Sequence, residues 1–248
     1  MNRSMKLAGG SMLLFALIFC SGALQAQEPL KAVVVTGGHG YDKEPFEEVF
    51  TVIPHGDFTF FPLQDESELF EDISDWPYEV IILYNMSQKI SEKRQDNFIE
   101  LLNQGVGLVV LHHAIAAFQE WPEYRKIIGT KYWLADTTTE DGVFHPISLW
   151  KHGVDMAFHI EDPDHPVVAG LEDFILNDET YLGHDVEVDN HLLLSCDTEG
   201  SQKEVAWVRN YGRARVCFIQ PGHDAHAFNS PIYRKLVAQA IEWVRPEK

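Results

Sequence analysis

The run Gly107-Leu-Val-Val-Leu-His-His-Ala114 constrains the fold more than any other stretch of the chain. Its apolar residues show no polar alternation, so they read as a strand covered on both faces, the mark of a sheet with helices above and below. Two histidines end it abruptly. Ligands of open α/β sheets bind beyond the carboxyl ends of the strands, so ionisable residues at such an end point to a site. Three other segments finish the same way: Val35-Thr-Gly-Gly-His39, Asp178-Glu-Thr-Tyr181 and Ile219-Gln-Pro-Gly-His-Asp224. Convergence of these ends on one pocket is the central expectation.

The remaining pattern alternates strands with helices. Strands are predicted over 31–37, 58–62, 78–84, 154–160, 192–196, 204–208 and 215–219, the last two joined as a hairpin by Tyr211-Gly212. A short helix is predicted over 42–50. A better marked one covers 91–104, with Ser91 as an amide acceptor, Glu92 facing the helix dipole and Gly105 as a left-handed exit. Glu123 to Ile128 forms a third helix, and a final one starts at Ser230-Pro231 and buries Leu236, Val237, Ala240, Ile241 and Val244. Lys131 to His152 has no period and reads as a functional loop or lid. Strand–helix–strand alternation implies a mostly parallel sheet with helices on both faces and an antiparallel C-terminal extension. Without an internal repeat or linker, residues 27–248 are expected to form one domain.

A formal charge of -19 excludes binding along a phosphate backbone and argues against insertion into, or adhesion to, an anionic membrane. Residues 1–26 read as a secretory leader. Arg3 and Lys6 precede a short apolar core, and Ser21-Gly-Ala-Leu-Gln-Ala26 supplies small residues for cleavage. An exported, periplasmic protein is expected. A lipid anchor on Cys20 is disfavoured by the bulky Phe19. Cys196 and Cys217 lie in apolar strand-like segments and read as buried free thiols.

No Gly-x-Ser-x-Gly elbow, phosphate loop or His-Glu-x-x-His helix is present, and Gly37-Gly38-His39-Gly40 lacks the spacing of a dinucleotide fingerprint, so no nucleotide cofactor is expected. The positive signal is 12 histidines. His39, His112 and His223 each close a predicted strand. As metal ligands, these imidazoles with Glu179 would suit zinc or a similar divalent ion. Without metal, the same groups can serve as general acid and base. His39, Asp178, Tyr181, Asp224, His145 and His152 are candidate substrate contacts, the last two from the irregular segment. On strand geometry, His112 and His113 point to opposite faces, so only one can face a given pocket.

At this level the chain resembles the trehalose-utilisation (ThuA-like) family. The likeness rests on Gly107–Ala114, Trp121-Pro-Glu-Tyr-Arg-Lys-Ile-Ile-Gly129, His165-Pro166 with Gly170-Leu171, Asp178-Glu-Thr-Tyr181, Ala206-Trp207, Tyr211-Gly-Arg-Ala-Arg-Val216 and Gly222-His223-Asp224, over about residues 31 to 245. It implies a flavodoxin-like three-layer sandwich related to class I glutamine amidotransferases. Their nucleophilic cysteine aligns with His112, which selects His112 over His113 for the site and removes glutamine acyl transfer for want of a thiolate. It also implies use of glycosides, disaccharides or their 3-keto derivatives, with a bound metal in some relatives. The combined expectation is a carbohydrate-active enzyme working by hydrolysis, elimination or isomerisation through His112, Glu179 and His223. A non-catalytic sugar-binding module and a metal-dependent esterase or amidase are the alternatives. Oligomeric state is left open.

Overall fold

The computed structural model describes residues 29–247. The predicted leader and Cys20 lie outside them. Five strands run parallel: β1 (Leu30–Gly37), β2 (Gly56–Pro62), β3 (Val80–Asn85), β4 (Gly107–Leu111) and, last in the chain, β9 (Ala214–Ile219). Between β4 and β9 come β5 (Leu149–Ile160), β6 (Phe174–Leu182), β7 (His191–Cys196) and β8 (Glu204–Tyr211). Together they form one nine-stranded sheet in the order β2-β1-β3-β4-β9-β8-β7-β5-β6. The parallel half has the doubly wound order of flavodoxin-type sheets.

The expectation of a mostly parallel sheet needs correction. Within this sheet, four strand pairings are parallel and four are antiparallel. The sheet is mixed because the antiparallel extension is as large as the wound half. Its strands are longer than the pattern predicts: β5 begins at Leu149, inside the segment read as irregular. That segment also holds the two-residue strands Thr137–Thr138 and Phe144–His145, paired with each other. Elements this short carry too few residues to display a period.

Helices α1 (Lys43–Glu48), α2 (Glu92–Gln104), α3 (Pro122–Ile128), α4 (Ala225–Phe228) and α5 (Pro231–Val244) cover the sheet. The sheet divides the apolar interior in two. Val34, Ile82, Val109 and Ile219 pack beneath α5, while Val33, Ile81, Val110 and Phe218 pack beneath α2 and α3. This alternation along each strand explains why β4 has no polar position. Gly105 leaves α2 at φ 97° as expected, but Ser91 makes no side-chain bond to the amides it precedes. At α5, Ser230 does accept from the Tyr233 amide. Cys196 and Cys217 are buried free thiols. Among the described residues, no helix is long and apolar enough to cross a membrane.

The hairpin of β5 and β6 curls back over the carboxyl ends of β4 and β9. Gln220, just beyond β9, donates through its side-chain amide to the carbonyl of Glu179 in β6 at 3.2 Å. One edge of the sheet thereby meets its middle, and residues from both halves share a site.

Candidate active site

Gly107–Leu111 carries the chain to the rim, and there the backbone breaks out of the strand at His112 with φ 47°. A non-glycine residue in the left-handed region costs about 1–3 kcal/mol and persists only where its surroundings fix it, commonly at functional positions. The turn continues as a 3-10 helix over His112–Ala116. The assumption that His112 and His113 alternate across a strand is therefore wrong: the strand ends before both.

His112 is fully buried. Its Nδ1 lies 2.7 Å from the Gln220 carbonyl; a carbonyl only accepts, so Nδ1 carries the hydrogen and Nε2 faces inward. Nε2 stands 3.1 Å from Glu179 Oε2, 3.1 Å from His223 Nδ1 and 2.9 Å from the Tyr181 hydroxyl. The third side, His223 Nδ1 to Glu179 Oε2, measures 3.3 Å. A neutral Nε2 and a carboxylate oxygen are both acceptors, so they approach this closely only with a proton on the ring or a cation shared among the three atoms. Ligands of a tetrahedral zinc at about 2.0–2.1 Å stand about 3.3 Å apart. The triangle of His112, Glu179 and His223 fits such an ion, and the Gln220 carbonyl gives His112 the outer hydrogen bond that metal-binding histidines ordinarily have.

Burial works against the Glu179 carboxylate, but bonds from His112 and His223 and their charges outweigh it and hold its pKa well below the usual range. Glu179 in turn raises the pKa of His223. Burial first, then the Glu179 charge, keep the Tyr181 hydroxyl protonated. His152 meets the other carboxylate oxygen, with Nδ1 3.1 Å from Glu179 Oε1. A β-bulge puts it there. Lys151 pairs with Thr180 and Val154 with Asp178, so His152 and Gly153 stand opposite Glu179 alone, and Gly153 takes φ 65°.

Glu179 and Tyr181 form part of the wall of a cavity of about 350 Å³, together with His39, His113 and His152 at its polar end and Tyr132, Trp133 and Trp150 elsewhere. His112 lies behind this wall, out of a ligand's reach, and acts on the site through its neighbours. Strand alternation admits only one of the two histidines to the pocket and the family likeness selects His112, so the sequence does not point to His113. It lines the cavity, and neither of its ring nitrogens has a hydrogen-bond partner.

Other candidates take different places. His39, expected among the metal ligands, is outside the triangle. Its ring lies 4.5 Å from that of His113 and 6.3 Å from that of His223, so of the expected set His112, Glu179 and His223 come together without it. Asp178, expected to touch substrate, faces away from the cavity. It is buried and accepts from the backbone amides of Glu179 at 2.8 Å, Gly222 at 2.7 Å and His223 at 3.0 Å, so it clamps the β9 exit loop to β6. Asp224 caps α4 through the His226 amide and is not a cavity residue. His145 stacks on Trp133 at 4.2 Å and pairs with Asp185 at 3.4 Å, behind the wall. Trp150 and His152 share one face of β5; a strand predicted from Leu149 would have revealed both.

His184, beyond β6, is buried, and that burial pushes its pKa from 6.5 to about 4. The unfolded chain takes up this proton near 6.5 and the folded one only near 4, so the contribution is intact above 6.5 and is lost as pH falls through that window. The shift is worth roughly 3 kcal/mol, and His113 moves in the same direction. The thermal midpoint should fall steadily between pH 6.5 and 4. Replacement of His184 by Gln should flatten that slope; an unchanged slope in the variant would refute the assignment.

Fold and site together define an α/β domain with a flavodoxin-type strand order in its parallel half and a histidine–glutamate cluster just beyond the carboxyl ends of those strands. The model of the ThuA family, described as trehalose utilisation, matches residues 31–244, and the chain belongs to that family. Similar solved structures include a ThuA-like protein from Parabacteroides merdae, with a TM-score of 0.73 and 21% identity over 89% of this chain and 93% of that one. A ThuA-like protein from Bacteroides uniformis gives 0.64 and 20%, over 90% and 94%. A β-galactosidase from Bacillus circulans shares the fold over 90% of this chain but 32% of its own, at a TM-score of 0.54 and 12% identity. No curated protein matches the sequence.

Proposed function

We propose that the protein is an exported enzyme that cleaves glycosides through their 3-keto derivatives, by acid–base chemistry at Glu179, His223 and His152. The observation that carries this reading is the meeting of Glu179 and His152 in the wall of an aromatic-lined cavity of about 350 Å³, with His223 against both just behind them. Tyr132, Trp133 and Tyr181 offer faces to a sugar ring. The family's description, trehalose utilisation, agrees in substrate class.

A carbonyl at C3 acidifies the hydrogen on C2. An imidazole takes that proton and the C2 electron pair passes into the enolate. Collapse of the enolate expels the C1 substituent, whose oxygen is protonated as it leaves. The products are an unsaturated 3-keto sugar and a free alcohol. Glu179 is too weakly basic to take a proton from carbon, and its charge instead stabilises the imidazolium that forms. His152 is half exposed and touches Glu179, so it can exchange its proton with solvent. The raised pKa of His223 makes it the proton donor, and His112 orients His223 and Glu179. Were a divalent ion held by His112, Glu179 and His223, it would take the place of the His223 proton donor and supply a Lewis acid for the sugar oxygen.

The test is incubation of the purified protein with trehalose, other glucosides and their 3-keto forms, with and without chelator. Mass spectrometry should find the free alcohol from 3-keto substrates; its absence from every substrate would overturn the proposal.

A further inference from the structure

The cavity wall joins two chemically different surfaces. Beside the histidines it includes Leu134, Ile147 and Trp150, which are 39%, 48% and 59% exposed. Large apolar side chains left in water together, at the mouth of a pocket, mark a binding surface. Little hydrogen-bonding capacity lies beside them. The Ser148 hydroxyl is spent, accepting from the Trp133 amide at 2.9 Å and donating to the Gly183 carbonyl at 3.2 Å. The Tyr132 hydroxyl donates to the Ser148 carbonyl at 3.3 Å. A second sugar ring placed here would set its hydroxyls against aliphatic carbon.

The platform also adjoins the groups assigned to proton transfer. Trp150 pairs with Tyr181 in the β5–β6 ladder. Its ring lies 4.6 Å from that of His152, and the His152 ring lies 4.3 Å from that of His223. One ring thus separates the apolar surface from the groups that move protons.

We propose that Leu134, Ile147 and Trp150 form a subsite for an apolar, ring-bearing aglycone, so that the substrates are glycosides of hydrophobic alcohols in preference to disaccharides. This rests on the glycoside-cleaving reading of the same pocket and adds the class of leaving group. Burial of one face of a six-membered ring favours such a ligand roughly tenfold or more.

The experiment compares benzyl, cyclohexylmethyl and methyl 3-keto-glucosides with a 3-keto-disaccharide of the same anomeric configuration. Simple alcohols are used so that leaving-group acidity does not dominate. Calorimetry with the unoxidised benzyl glucoside and disaccharide measures binding without chemistry. The expected result is at least a tenfold higher kcat/KM, and tighter binding, for the ring-bearing aglycones. Both should be lost in Trp150→Ala and reduced in Ile147→Ser, with circular dichroism unchanged. Equal turnover of all substrates would overturn the subsite and leave the cleavage reading standing. Preferential binding of the benzyl glucoside without turnover would keep the subsite and remove the chemistry. Absence of both, or a wild-type dimer that Trp150→Ala dissociates, would overturn the proposal.

Discussion

Glu179→Gln is expected to lower turnover about 10³-fold while leaving the fold intact. Gln has the shape of Glu and can still hydrogen bond, so the substitution removes charge alone. That charge is what His112, His152 and His223 share: each has a ring nitrogen within 3.1–3.3 Å of a Glu179 oxygen. Without it, an imidazolium formed in the reaction has no counter-ion. The pKa of His223, raised chiefly by its bond to Glu179, should also come down. Kinetics on a 3-keto glycoside and a proton NMR titration of His223 measure the two effects separately. An inactive variant with an unmoved His223 would assign Glu179 some role other than the electrostatic one, and a fully active variant would remove it from the mechanism.

The second large effect is on stability. Asp178→Ala should cost about 3–5 kcal/mol, because it leaves three backbone amides, those of Glu179, Gly222 and His223, without their acceptor in a buried place. Asp178→Asn should cost nearly as much, since its amide hydrogens would face donors. Burial raises the Asp178 pKa and the three amides counter this, so the carboxylate and the loop hold each other in place. For a chain of this size the loss corresponds to a drop in Tm on the order of 10 °C. A Tm within a degree or two of the wild type would show that the loop does not depend on the clamp.

How much of this was legible beforehand follows from what a linear pattern can carry. The unbroken apolar run of β4 identified a strand buried on both faces, and His112 at its end was found for that reason. Alternation then misled at His113, because the chain leaves the strand at His112 with a positive φ that the sequence does not mark. Glu179 is legible as a catalytic candidate, but Asp178 beside it reads as a substrate contact and is a structural clamp. Their opposite roles depend on β6 lying across the end of β9, a long-range contact with no local signature. His152 and Trp150 stood in a stretch without period, and only the bulge opposite Glu179 gives His152 its direction. The extent of the antiparallel half was underestimated because β5 alternates poorly where its Leu149–Lys151 end is exposed.

The central claim is that imidazoles grouped around Glu179 remove a proton from the carbon beside a sugar carbonyl. Proton NMR of a 3-keto glucoside incubated with the protein in D₂O tests this most directly. The account predicts loss of the C2 hydrogen signal at or ahead of alcohol release, and no such loss with Glu179→Gln. Alcohol release with the C2 hydrogen fully retained in the sugar product would contradict it.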